Sequence, residues 1–292
     1  MNTSPPSSAH RSPWVFFGLV FLLLIPFLVI GFLSEQGLLK NLGVNLPLSA
    51  FAFVCPIIAA IILVYREEKL AGVGRFLRNV LDVTRIRNKI WYLPIFLLLP
   101  AIYLLSYGIM RLLGIPLPAP QVSLLSLLIL LVLFVVAAFG EEAGWMGYAF
   151  DPLESRWNAL GAALVLGIVW SAVHVVPDIQ GHKDWAWIAG QRAFSIALRV
   201  LIVWLYNNTG KSVVAVILFH AMDNLSVFTL FPNDGGGQYI PAITAAITVI
   251  VAAIVTFFWG AGTLARFRFA RHPAQETGDQ AHRTAPGRPL SM

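Results

Sequence analysis

About eight stretches of nearly continuous apolar sequence, each close to twenty residues long, dominate this chain and limit what it can become. They fall at about 13–33, 46–65, 91–114, 122–150, 157–176, 186–206, 211–231 and 239–262. A run of that length matches the hydrocarbon thickness of a bilayer when coiled at 1.5 Å per residue. In lipid every backbone N–H and C=O has to be satisfied within the protein, which leaves helices and closed barrels. The runs are continuous rather than ten-residue alternations, so the expected fold class is all-α, a polytopic transmembrane helical bundle of about eight spans. The composition agrees, with 58% apolar and 12% charged residues. The first run contains Pro26, lacks a small-residue cleavage site and is followed by further runs, so it is expected to be retained as a helix.

Charge placement sets the expected orientation. Arg66, Lys69, Arg75, Arg78, Arg85, Arg87 and Lys89 crowd the connection between the second and third runs, which marks that loop as cytoplasmic. An even number of spans then puts both termini inside, in agreement with Arg266, Arg268, Arg271, Arg283 and Arg288, and the pattern suits a bacterial-type inner (plasma) membrane. The net charge of +6 is accounted for by these loops, so no nucleic-acid partner is expected. The single cysteine, Cys55, lies within an apolar run and excludes an intramolecular disulfide or a thiolate metal cluster. Residues 1–12 and 272–292 read as disordered cytoplasmic tails. Between them, 13–119 reads as membrane-anchoring spans, 120–231 as the core that holds most of the intramembrane polar residues and 232–271 as a C-terminal span.

Ionisable side chains inside a span are costly, so each is a functional candidate that needs a partner. Nearly all of them lie in four middle runs: Glu141 and Glu142, then His174, then Arg192 and Arg199, then His220, Asp223 and Asn224. Trp170 with His174, and His220 with Asn224, are four residues apart and share helix faces. Counted from the cytoplasmic ends, Glu141 lies ~15 Å deep, His220 ~14 Å and Asn224 ~20 Å, while His174 falls at ~24 Å and needs a tilted helix to join them. Two carboxylates, two histidines and an amide are the groups that deprotonate water and hold an oxyanion.

Three segments carry a family resemblance. EEAGWMGY at 141–148, WSAVH at 170–174 and HAMDN at 220–224 resemble, in order and spacing, the signatures of the CAAX prenyl protease and bacteriocin-processing (Abi) family of intramembrane peptidases. The likeness covers about residues 120–230. It implies an intramembrane endopeptidase that hydrolyses a peptide bond in a membrane-associated protein or peptide. Glu141 would be the general base, His174 would position and polarise the water, and His220 and Asn224 would donate to the oxyanion. Glu142, Arg199 and Trp170 would support them, with no cofactor. One departure stands out: the family's arginine, four residues after the second glutamate, is Met146 here. Arg199, ~12 Å deep against ~14 Å for Glu142, is the cation expected to replace it.

Other readings remain. Glu141, His174 and His220 offer a zinc ligand set, although no HExxH helix preforms a site and Asn224 is a poor zinc ligand. A binding or regulatory membrane protein, or a transporter, would use the same charges as a network, though no internal repeat of transporter type is evident. Asp178 and His182 follow His174 at four-residue spacing but are interrupted by Pro177 and Gly181, which predicts a solvated loop. Trp145, Trp185, Trp187, Trp204 and Tyr206 read as interfacial anchors. The substrate and the oligomeric state are left open.

Overall fold

A computed structural model describes residues 11–35, 48–120 and 123–265. Residues 1–10 of the expected tail at 1–12, the expected tail at 272–292 and the arginines from 266 onward lie outside the described residues. Among the described residues there are helices and turns but no strand. The chain forms α1 (Pro13–Glu35), α2 (Cys55–Val80), α3 (Tyr92–Leu112), α4 (Leu124–Gly144), α5 (Asp151–Arg156), α6 (Ala159–Ala172), α7 (Val175–Gln180), α8 (Trp185–Asn208), α9 (Val213–Leu230) and α10 (Pro241–Trp259). Among the described residues, seven segments are long and apolar enough to cross a membrane: 13–33, 89–112, 124–156, 159–180, 185–208, 213–230 and 241–259. The protein is an integral membrane helical bundle. The apolar run at 46–65 is built differently, as a 3₁₀ segment (Leu48–Val54) that continues into α2, which turns polar at Arg66.

Each of the four helices α4, α6, α8 and α9 begins on a polar side chain accepting a free backbone N–H. Ser123 Oγ accepts from Ser126 N before α4, and Asn158 Oδ1 from Gly161 N before α6. Asp184 Oδ1 accepts from Trp187 N before α8, and Ser212 Oγ from Ala215 N before α9. Such caps fix where a helix starts, and substituting one by alanine typically costs about 1 kcal/mol. Pro241 opens α10, where a missing N–H is harmless.

The α8 helix is the centre of the bundle and the most buried span. Helices α6 and α10 pack along it, α4 and α3 pack on α9, and α2 lies on α4. Small residues make the close approaches possible. A Cβ on Gly190 of α8 would meet the Ala242 backbone nitrogen at 2.7 Å, and one on Gly144 of α4 would meet the Pro56 backbone at 2.5 Å. The first half of α4 presents Leu124, Leu125, Leu128, Ile129, Val132, Leu133 and Val136 outward, as a lipid-facing surface requires.

The polar end of the bundle near α2 is laced by ion pairs. Arg11 and Arg75 hold Glu68 at 3.1 and 2.6 Å, and Lys211 bridges Asp151 and Glu154 at 2.7 and 3.0 Å. Burial alone would raise the Glu68 carboxyl, but Arg75 and Arg11 bring it below its ordinary value. Of the expected aromatic anchors, Trp185 is exposed, whereas Trp145, Trp204 and Tyr206 are buried in the bundle. They lie where helices meet and serve as core.

Candidate active site

Glu141 and Glu142 sit in the last turn of α4, just before Trp145–Phe150 widen into a π-helical turn. Wide turns of this kind occur often at functional sites because they re-aim the side chains around them. A Cβ on Gly140 would clash with Phe53 at 2.7 Å, so glycines on both sides of the glutamate pair let α4 press against the 53–56 segment. The two carboxylates then diverge. Glu142 is fully buried and points inward, while Glu141 is half-buried and lines a cavity.

The inner layer is Glu142, Arg199 and His220. Arg199 Nη1 of α8 donates to Glu142 Oε2 at 2.7 Å, and His220 Nδ1 of α9 lies 2.9 Å from Glu142 Oε1. A carboxylate oxygen only accepts, so His220 presents Nδ1–H to it. Arg199 and Glu142 are both fully buried, an arrangement that is tolerable in hydrocarbon only because the charges oppose each other. Met146, at the position of the family's arginine, is buried. The cation beside Glu142 thus comes from α8, from the residue that the depth count singles out.

Trp170 joins this layer to the outer one. Its indole Nε1 donates to Glu141 Oε2 at 2.7 Å, and its backbone oxygen accepts from His174 Nδ1 at 2.8 Å. Its ring lies beneath the Arg199 guanidinium, 4.3 Å from carbon to centroid, and meets His174 and His220 edge-on at 5.2 and 5.5 Å. With Nδ1 donating to a carbonyl, neutral His174 carries its lone pair on Nε2.

Here α6 stops at Ala172, α7 starts at Val175, and His174 lies at the break. Pro177 supplies a local cause, since it lacks the N–H that would bond the Val173 carbonyl and its ring crowds that oxygen. The break turns His174 toward Glu141. Both line a cavity of about 460 Å³, with Val20, Leu24, Phe53, Pro56, Trp145 and Phe228 among its apolar walls.

Glu141 is within electrostatic reach of His174, His220 and Asp223. Asn224 is half-buried, one turn beyond His220, and makes no side-chain hydrogen bond among the described residues. Asp223 is buried near Tyr103. No group of three His, Cys, Asp or Glu side chains converges to hold a metal ion among the described residues.

The solvated loop expected around Asp178 is not found. Asp178 lies on α7, lines the same cavity and pairs with Arg192 Nη2 at 3.0 Å, with both side chains largely buried. His182 is exposed at positive φ and takes no part. Arg192 stands out in the sequence as a charge within a span, but nothing there identifies its partner.

Together these features define a membrane-embedded protein whose buried charges converge beside a largely apolar cavity. A family profile described as Type II CAAX prenyl endopeptidase Rce1-like matches residues 123–226, which include all three signature segments. The CAAX prenyl protease 2 of Methanococcus maripaludis is 27% identical over 231 residues, covering 74% of this chain and 83% of that one. The lysostaphin resistance proteins A of Staphylococcus epidermidis and Staphylococcus aureus are 26% and 23% identical over 68% of this chain, which spans about half their length. These likenesses support a protease of the CAAX prenyl protease type embedded in the membrane.

Proposed function

We propose that this protease cleaves a membrane-associated protein or peptide with a water molecule activated by Glu141, without a metal. The observation that carries the reading is that Glu141 and His174 face one cavity while both are tied to Trp170. Trp170 occupies Glu141 Oε2, which leaves Oε1 to take a proton from water. His174 Nε2 accepts the second hydrogen of the same water and aims its lone pair at the scissile carbonyl.

As that carbonyl oxygen gains charge, His220 in its imidazolium form donates Nε2–H to it while Nδ1–H stays on Glu142. Asn224, with no other hydrogen bond taken, donates from one turn further along α9. Each such donor is typically worth about 3 kcal/mol in the transition state. The proton held by Glu141 then passes to the leaving amine. The apolar walls from α1, the 53–56 segment and α9 suit a substrate that approaches from the bilayer, and the substrate of the Methanococcus relative, a prenylated C-a-a-X tail by its name, is one such class.

The test is cleavage by purified protein in detergent with and without a strong zinc chelator, alongside Glu141→Gln. The reading expects activity that survives the chelator and is lost in a folded Glu141→Gln protein. Activity abolished by the chelator and restored by zinc would contradict it.

A further inference from the structure

Arg192 touches none of the four residues assigned to the chemistry, yet it straddles the break that orients one of them. Its Nη1 donates at 2.9 Å to the backbone oxygen of Ser171, in the last turn of α6. Its Nη2 lies 3.0 Å from Asp178 Oδ2, in α7 on the far side of the break. His174 sits between these two anchor points. Its backbone N–H bonds the same Ser171 oxygen at 3.2 Å, and its own carbonyl accepts from Asp178 N at 3.0 Å.

A broken helix leaves carbonyls without partners, and a hinge in a span is free to rock unless something fixes both arms. Pro177 makes the break but does not set its angle. A planar guanidinium that hydrogen-bonds the carbonyl of one arm through Nη1 and is ion-paired to the carboxylate of the other through Nη2 does set it, in a way that a point charge on a flexible stem does not. We propose that Arg192 is a positioning residue that clamps α6 to α7 through Ser171 and Asp178 and so aims His174 Nε2 at the water held by Glu141. This inference rests on the peptidase reading given above. Burying the Arg192–Asp178 pair is costly, and a role in fixing the site accounts for its presence at a cavity wall.

The experiment measures kcat and KM on a fluorogenic peptide spanning a cut site mapped with the wild-type protein. It uses Arg192→Gln, Arg192→Lys, Arg192→Ala and Asp178→Asn, each checked for a cooperative thermal transition. Misplacement of a reacting group by about 1 Å can cost on the order of 100-fold, so Arg192→Gln should lose roughly that much in kcat with KM unchanged. Lysine should rescue poorly, and free guanidinium ion should restore part of the kcat of Arg192→Ala. Asp178→Asn should lose roughly tenfold, again in kcat.

Full kcat in Arg192→Gln, with cleavage still dependent on Glu141, would overturn the clamp and leave the peptidase reading standing. Cleavage that does not depend on Glu141 would remove that reading and the clamp with it. If Arg192→Gln has no folded state, Asp178→Asn decides: lowered kcat at constant KM supports the clamp, and unchanged kcat overturns it.

Discussion

Removing Arg199 would leave the Glu142 carboxylate buried with only His220 to balance it. Breaking one side of a fully buried pair typically costs about 3–5 kcal/mol, so Arg199→Leu should lower the thermal midpoint sharply in detergent. Glu142→Gln should do the same. The double variant Glu142→Gln with Arg199→Leu should be less destabilised than the sum of the two, because no unpaired charge remains. Strict additivity in a thermal double-mutant cycle would mean that the two residues do not act as a pair. Depth along two helices is enough to match Arg199 with Glu142 from sequence, since each lies within a single unbroken helix. The same count does not foresee the break at His174, because it ignores Pro177, whose consequence is felt four residues earlier, at the Val173 carbonyl.

At the scale of elements, the site depends on how closely α4 approaches the 53–56 segment. A side chain at Gly144 has no room beside the Pro56 backbone, so Gly144→Leu should push the two apart, cost about 1–3 kcal/mol and lower cleavage even in protein that folds. A folded Gly144→Leu protein with normal stability and full activity would show that the approach is not needed. Much of the element structure is readable: seven of the eight apolar runs correspond to spans, the run at 46–65 being the exception, and Ser123, Asn158, Asp184 and Ser212 stand where helices begin. What could not be read was tertiary. Nothing local says that the α6 break is held from α8 by Arg192, that Asp178 turns inward, or that Trp145 is core and not an interfacial anchor.

For the whole molecule, the clustered lysines and arginines between 66 and 89 argue for a cytoplasmic loop. Arg87 is exposed in that loop, and Cys55 is buried, so background thiol labelling is low. An Arg87→Cys protein in sealed, right-side-out membrane vesicles should react with a membrane-impermeant thiol reagent only after permeabilisation. Labelling of intact vesicles would invert the proposed topology. Glu141 on α4, His174 at the α6–α7 break and His220 on α9 come from distant parts of the chain; α4 packs directly on α9, and Trp170 of α6 links Glu141 to His174 and stacks edge-on with His220.

The central claim is that Glu141 drives cleavage of membrane-associated polypeptides. Its most direct test is a quantitative comparison of newly formed protein termini in membranes of cells carrying the wild type or Glu141→Gln at matched expression. Specific cleavages present only with the wild type are the predicted result, and the cut sites would define the substrate class. Identical profiles from the two strains, with substrates of other proteases still registering, would contradict the account.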